Sequence, residues 1–448
     1  MTEAQSEAQS AAIDTLIHAR WIIPVNPAGQ VLANHSIAIA DKRIVAICGQ
    51  EDARKRFAPR TVFELPRHVL IPGLVNAHGH SPMALLRGAA DDMPLKQWLE
   101  EHIWPLEARF VSREFVQQGC SLAMAEMIAS GTTTFADMYY FPDEVARVAQ
   151  RVRMRVQLAS PILDFPTVWA KDADEYIDKA TRLHDDFRNS EFVRMAFGPH
   201  APYTVSDSPL RRIATLAEEL DVPIHMHVHE AAQEVDDALA NDGRRPLQRL
   251  ADLGLLSPRL LCVHATQLSG EEMQQLATQG CSVIHCPESN LKLASGFCEV
   301  ARLTQAGVNV ALGTDGGASN NDLDLFGEMQ TAALLAKAVA GNASALPAHE
   351  ALAMATLNGA RALGMDADIG SLETGKLADI TAVDMDSVNT WPMHNPLSHL
   401  VYAAHATQVS HVWCGGESLL ENRELKTLDA ALIKEQCQAW QQAVAGMK

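Results

Sequence analysis

An α/β fold is predicted, an eight-stranded parallel β/α barrel with a small β domain built from both chain ends. Three observations carry it. Short apolar runs alternate with helical stretches over residues 69–363, a β-rich texture marks both ends, and the chain has 448 residues with 47% hydrophobic content. That length accommodates one large barrel plus a smaller unit.

Residues 13–67 show short β-branched and apolar runs, such as Ile22-Ile23 and Ile44-Val45-Ala46-Ile47, broken by Asn-Pro, Asp-Lys and Gly turn signals. This pattern predicts a small antiparallel β unit. The middle then reads VLIPGLVNA, TTTFADM, RVQLAS, VRMAFG, VPIHMHVH, LLCVHA, CSVIHC and VNVALGTD, with helical stretches such as SLAMAEMIASG and PLRRIATLAEEL between them. Such alternation is the signature of βα units around a parallel sheet. The β texture returns at 370–384 and 411–420, so the two ends are expected to pair. The organisation is therefore 1–68, a barrel over 69–365, and 366–448 with a terminal helix.

A formal charge of −19 would repel a phosphate backbone, so a small-molecule substrate is expected and nucleic acid is not. The polar, acidic start lacks the layout of a signal peptide, and no uninterrupted apolar stretch of about 18 residues occurs. A cytoplasmic protein with no membrane partner is expected; a homo-oligomer is left open. The eight cysteines contain no Cys-x-x-Cys pair, which speaks against a disulfide framework and a thiolate zinc knuckle.

The chemistry sits at predicted strand ends. His78 and His80 follow the run 69–75, and residues two apart on a strand face one side. His227 ends the run 222–226 with Glu230 three residues on, His264 ends 260–263, and Asp315 follows 308–313. A β/α barrel delivers all these positions to its catalytic face. Three neutral imidazoles and one carboxylate suit zinc, which lowers the pKa of a bound water to about 7. His264 is then free to orient that water and Glu230 to carry its proton. His225 and His229 are read as pointing away from His227, in structural or supporting roles. The only lysines between Trp98 and Leu291, Lys171 and Lys179, lie in a polar stretch, so a two-metal site bridged by a carboxylated lysine is not expected.

Together, HGH after PGLVNA, GPHAPY, HVHE, VHA, HCPESNLKLASG, GTDGGASNNDLDL and GKLADI resemble the amidohydrolase superfamily, in particular its branch of 5'-methylthioadenosine/S-adenosylhomocysteine deaminases. The resemblance spans essentially the whole chain. It implies a TIM-like (β/α)8 barrel, a β-sandwich built from both ends, and one Zn2+ or other divalent ion per chain. The implied ligands are His78, His80, His227 and Asp315, with Glu230 as proton shuttle and His264 beside the metal-bound water. Glu107 matches the carboxylate that holds the ribose hydroxyls, and His200 a substrate-contacting histidine. Taken alone, Glu107 would pass for a solvated helix charge, although a carboxylate does supply one acceptor to each hydroxyl of a diol. Trp98 and Trp104 either line the substrate pocket or simply pack.

The implied reaction is hydrolytic deamination of an adenine nucleoside, most naturally 5'-methylthioadenosine to 5'-methylthioinosine and ammonia. Glu230 protonates N1 and the nucleophile attacks C6. The alternatives are a guanine or oxidised-purine deaminase or a triazine (chloro)hydrolase, from which Glu107 distinguishes it, and more remotely a non-catalytic zinc-stabilised binding protein. Relatives that accept S-adenosylhomocysteine carry an arginine just after the strand that here begins at Arg155. No arginine occurs over 156–181, and Asp164 is present instead. S-adenosylhomocysteine and adenosine are therefore expected as poorer substrates.

Overall fold

The structure, a computed structural model, describes residues 10–446. The polar start read above against a signal peptide lies outside them through residue 9. Strands β1 (Ala11–Ile22), β2 (Leu32–Ala40), β3 (Arg43–Gly49) and β4 (Phe57–Pro72) open the chain. The barrel follows as β5 (Leu74–Asn76), β6 (Thr132–Asp137), β7 (Arg155–Ile162), β8 (Val193–Pro199), β9 (Ile224–Val228), β10 (Leu260–His264), β11 (Ser282–His285) and β12 (Asn309–Leu312). The chain closes with β13 (Ile380–Asp384), β14 (Val409–Cys414), β15 (Glu417–Glu421), β16 (Glu424–Leu425) and a final helix, Ala430–Ala445.

Both ends form one eight-stranded sheet ordered β16-β15-β14-β13-β4-β1-β2-β3. It is mixed, correcting the expectation of an antiparallel unit. The β2–β3 hairpin and the helix Gln50–Arg56 stand between β1 and β4, so β4 returns beside β1 in the same direction, with Ile17 opposite Phe63. One inner cluster joins Ile17, Ile37 and Ile39 from the start of the chain to Ile380, Ala382 and Trp413 from its end. Residues 69–72 still pair in this sheet, and β5 enters the barrel two residues later, so one apolar run serves two sheets. Gly73 makes the transition possible, because a Cβ there would lie 2.2 Å from Thr133 Oγ1.

The barrel strands pair in parallel in chain order, with only one register pair between β8 and β9. Ala77 N–H donating to Leu312 O at 2.8 Å and Asp315 N–H to His78 O at 3.1 Å join the last strand to the first. Being covered on both faces, β7 is buried along its whole length. Residues after β12 cross the barrel floor: Asn358 reaches Val310 O, Gln157 reaches Leu363 O and Arg194 reaches Gly364 O. The open mouth is therefore the one at the strands' C-terminal ends. No helix of the described residues is long and apolar enough to cross a membrane.

Candidate active site at the barrel mouth

Strand alternation decides what faces the barrel axis. On β9, Ile224, Met226 and Val228 pack outward against the helices, so His225 and His227 both face inward. This corrects the reading of His225 as pointing away: residues two apart share a face, and His225 lies one step deeper than His227. His229 does leave the axis, its φ of 55° turning it so that Nε2 accepts the Leu247 N–H.

On β10, Leu261 and Val263 face the inner core and Cys262 the outer one, so simple alternation would send His264 outward. Its φ of 71° and the Ala265 N–H to Val263 O bond form the rarer, strained γ-turn, which brings the ring back to the mouth. At the end of β12, Gly313 passes so close to His78 that a Cβ would meet its backbone N at 2.8 Å.

The outcome is a convergent cluster. Asp315 Oδ1 lies 3.3 Å from Nε2 of both His78 and His80. Candidate ligand atoms of His78, His80 and Asp315 lie within 4.8 Å of one another, as do those of His78, His227 and His264. Each ring is anchored through Nδ1: His80 on Met138 O at 2.6 Å, His227 on His200 O at 2.7 Å, His264 on Asn290 Oδ1 at 2.8 Å and His78 on His225 Nε2 at 2.8 Å. His78 Nε2 is buried without a hydrogen-bond partner among the described residues. That free nitrogen and the imidazole–carboxylate donor set fit a zinc-like ion.

Burial pushes His78 down to about 4 and His227 well below its usual range, so both rings are neutral and able to ligate. Burial also opposes charge on His80, but the hydrogen bond and charge of Asp315 outweigh it and push that ring up to about 9. Burial likewise opposes the charge of Asp315, yet His78 and His80 hold it well below the carboxylate range.

Glu230 is buried, its pKa raised by desolvation, with Oε1 3.7 Å from His264 Nε2. Glu107 is buried as well, correcting the solvated-charge alternative, and Tyr139 holds it. Both line one pocket with His200, Trp98 and Trp104. Trp98 is anchored through Nε1 on Ala90 O, while Trp104 is partly exposed. Lys171 and Lys179 lie away from the pocket, beside Asp172 and Glu175. Sequence reasoning missed the residues that hold these groups: Ser289 and Ser319 on Asp315 Oδ2 at 2.6 and 3.0 Å, Asn290 on His264, and Tyr139 on Glu107. Ser289 and Asn290 stood in the HCPESN motif, but nothing in the motif names their partners.

Fold and site together define a barrel enzyme built for hydrolysis around a histidine-rich centre. Residues 69–419 match the amidohydrolase family, and the chain belongs to that family as a hydrolytic enzyme of the aminohydrolase kind. It is 50% identical over 439 residues to 5-methylthioadenosine/S-adenosylhomocysteine deaminase of Teredinibacter turnerae, covering 98% of this chain and 99% of the relative. It is 42% identical to 5'-deoxyadenosine deaminase of Methanothermobacter thermautotrophicus, covering 90% and 93%. The crystal structure of an adenosine deaminase from Xanthomonas campestris with bound zinc superposes with a TM-score of 0.97 at 49% identity, covering 98% of this chain and all of that one.

Proposed function

We propose that this enzyme deaminates an adenine nucleoside hydrolytically, with 5'-methylthioadenosine preferred, using one zinc-like ion held by His78, His80, His227 and Asp315. The observation that carries the reading is the pocket itself, which joins the histidine–aspartate cluster to the buried, tyrosine-held Glu107. A free base or a triazine has no diol for that carboxylate to bind.

When bound, such an ion supplies Lewis acidity and brings the pKa of water to about 7. Glu230 sits where it can take a proton from the attacking water and place it on N1 of the ring. Burial raises its pKa above the usual carboxylate range, which makes it a better proton acceptor than a solvated glutamate. His264, fixed by Asn290, orients the water toward C6. The C6–O bond forms, the C6–N bond breaks, and Glu230 returns the second proton to the departing ammonia. Glu107 accepts the two ribose hydroxyls, and His200, held neutral by burial with a pKa of about 4, offers the ring an uncharged polar contact.

Ammonia release from 5'-methylthioadenosine, adenosine, S-adenosylhomocysteine, guanine and triazines tests the reading. Turnover of the methylthio nucleoside supports it, turnover confined to guanine or triazines transfers it to those classes, and zinc content without any turnover favours a binding role. Elemental analysis is expected to find one ion per chain, and two would contradict the ligand set.

A further inference from the structure

Four inward rings surround the centre, and three anchor Nδ1 on an oxygen: Met138 O, His200 O and Asn290 Oδ1. His78 is the exception, resting on the nitrogen of another buried imidazole, His225. The two rings are tilted by 31° with centroids 5.0 Å apart, and neither is exposed at all. We infer that His225 is a positioning residue for the metal, locking His78 in the one tautomer that presents a bare Nε2 to the ion.

A neutral imidazole carries one proton, so His78 can offer its Nε2 lone pair only while the proton sits on Nδ1. That proton then needs an acceptor at Nδ1. His225 Nε2, 2.8 Å away, provides it, which obliges His225 to keep its own proton on Nδ1. His225 Nδ1 has no hydrogen-bond partner among the described residues. Leaving a buried donor unsatisfied is unfavourable, so as a purely structural group His225 is a poor choice: a leucine in its place would leave no such orphan. The arrangement is intelligible if holding His78 outweighs that cost.

The inference rests on the ligand set proposed above, and its test reads metal affinity instead of turnover. Zinc dissociation constants would be measured by competition with a chromophoric chelator for the parent, His225→Leu and His225→Gln, alongside melting curves of chelated and zinc-loaded protein. The leucine variant is expected to bind zinc about 10- to 100-fold more weakly. Its chelated form should melt no lower than the parent's, so that only the stabilisation by zinc shrinks. The glutamine variant, whose amide oxygen restores an acceptor, should recover most of the affinity. Unchanged affinity in the leucine variant, or equal loss of stability with and without zinc, would overturn the inference. Should neither variant fold, imidazole nitrogen NMR of the zinc-loaded parent decides it. Both His78 and His225 must carry the proton on Nδ1, and a proton on His225 Nε2 refutes the assignment. A parent that binds no zinc refutes the ligand set itself, a distinct outcome.

Discussion

Tyr139 Oη donates to Glu107 Oε1 at 2.6 Å inside the pocket at the barrel mouth, while the carbonyl of the neighbouring Met138 holds His80. One short segment after β6 therefore positions both the Glu107 carboxylate and a ring of the histidine–aspartate cluster. A hydrogen bond to a charged group contributes about 1.5–3 kcal/mol, roughly ten- to a hundredfold in binding. Tyr139→Phe is expected to raise KM for ribosides by about tenfold with kcat largely kept. Equal KM values for parent and variant would show that Glu107 needs no such support.

A pH dependence follows from the same carboxyl group. Burial pushes Glu107 up to about 7, against the pull of the Tyr139 hydrogen bond. Ionised above that value, both oxygens accept; protonated below it, one becomes a donor and a ribose hydroxyl loses its acceptor. KM for ribosides should therefore rise as pH falls through neutrality, by about tenfold one unit below the pKa, with zinc kept saturating. A flat KM across that window would contradict the role.

Glu230→Gln keeps the shape of the side chain but cannot shuttle a proton. Its kcat is expected to fall by about 10² to 10⁴ while zinc content and KM stay near the parent values. Loss of zinc from this variant would instead place Glu230 among the ligands.

One wall of the pocket is apolar. Pro161, Leu163 and Leu95 line the pocket, and no lysine or arginine of the described residues does. Arg87 is engaged with Glu126 and Arg109 lies over Phe110, while Asp164 accepts the N–H of the distant Ser206. An unpaired homocysteine carboxylate loses about 1–3 kcal/mol or more, so kcat/KM for 5'-methylthioadenosine should exceed that for S-adenosylhomocysteine by at least about tenfold. Side-by-side kinetics with equal values would refute this.

Stability has its own marker far from the mouth. Arg155, at the start of β7, grips Asp379 beside β13 through Nε at 3.0 Å and Nη2 at 2.6 Å, and Asp379 also accepts the Gly415 N–H. Both charges are buried, so Asp379→Ala strands a guanidinium between barrel and terminal sheet, typically costing about 3–5 kcal/mol. Urea unfolding of the zinc-loaded variant checks it, and a loss below about 1 kcal/mol would mean water relieves the charge.

By itself, the sequence determined the barrel, the joining of the two ends and the strand-end positions of His78, His80, His227, His264 and Asp315. Those features are local: apolar runs announce parallel strands, and a β/α barrel brings every strand's end to one mouth whatever the intervening loops contain. Tertiary structure alone decided which partner each of those side chains meets. His225 and His78 are 147 residues apart and Tyr139 and Glu107 are 32 apart, and no spacing rule connects them. The same holds for the β1–β4 pairing, which depends on the path the chain takes between two strands. At His264 even the facing was hidden, because a single left-handed φ reverses the alternation from which strand faces are read. Side-chain direction follows from local periodicity only while the backbone stays regular, and at this mouth His264 and Asp315 both sit in the left-handed region.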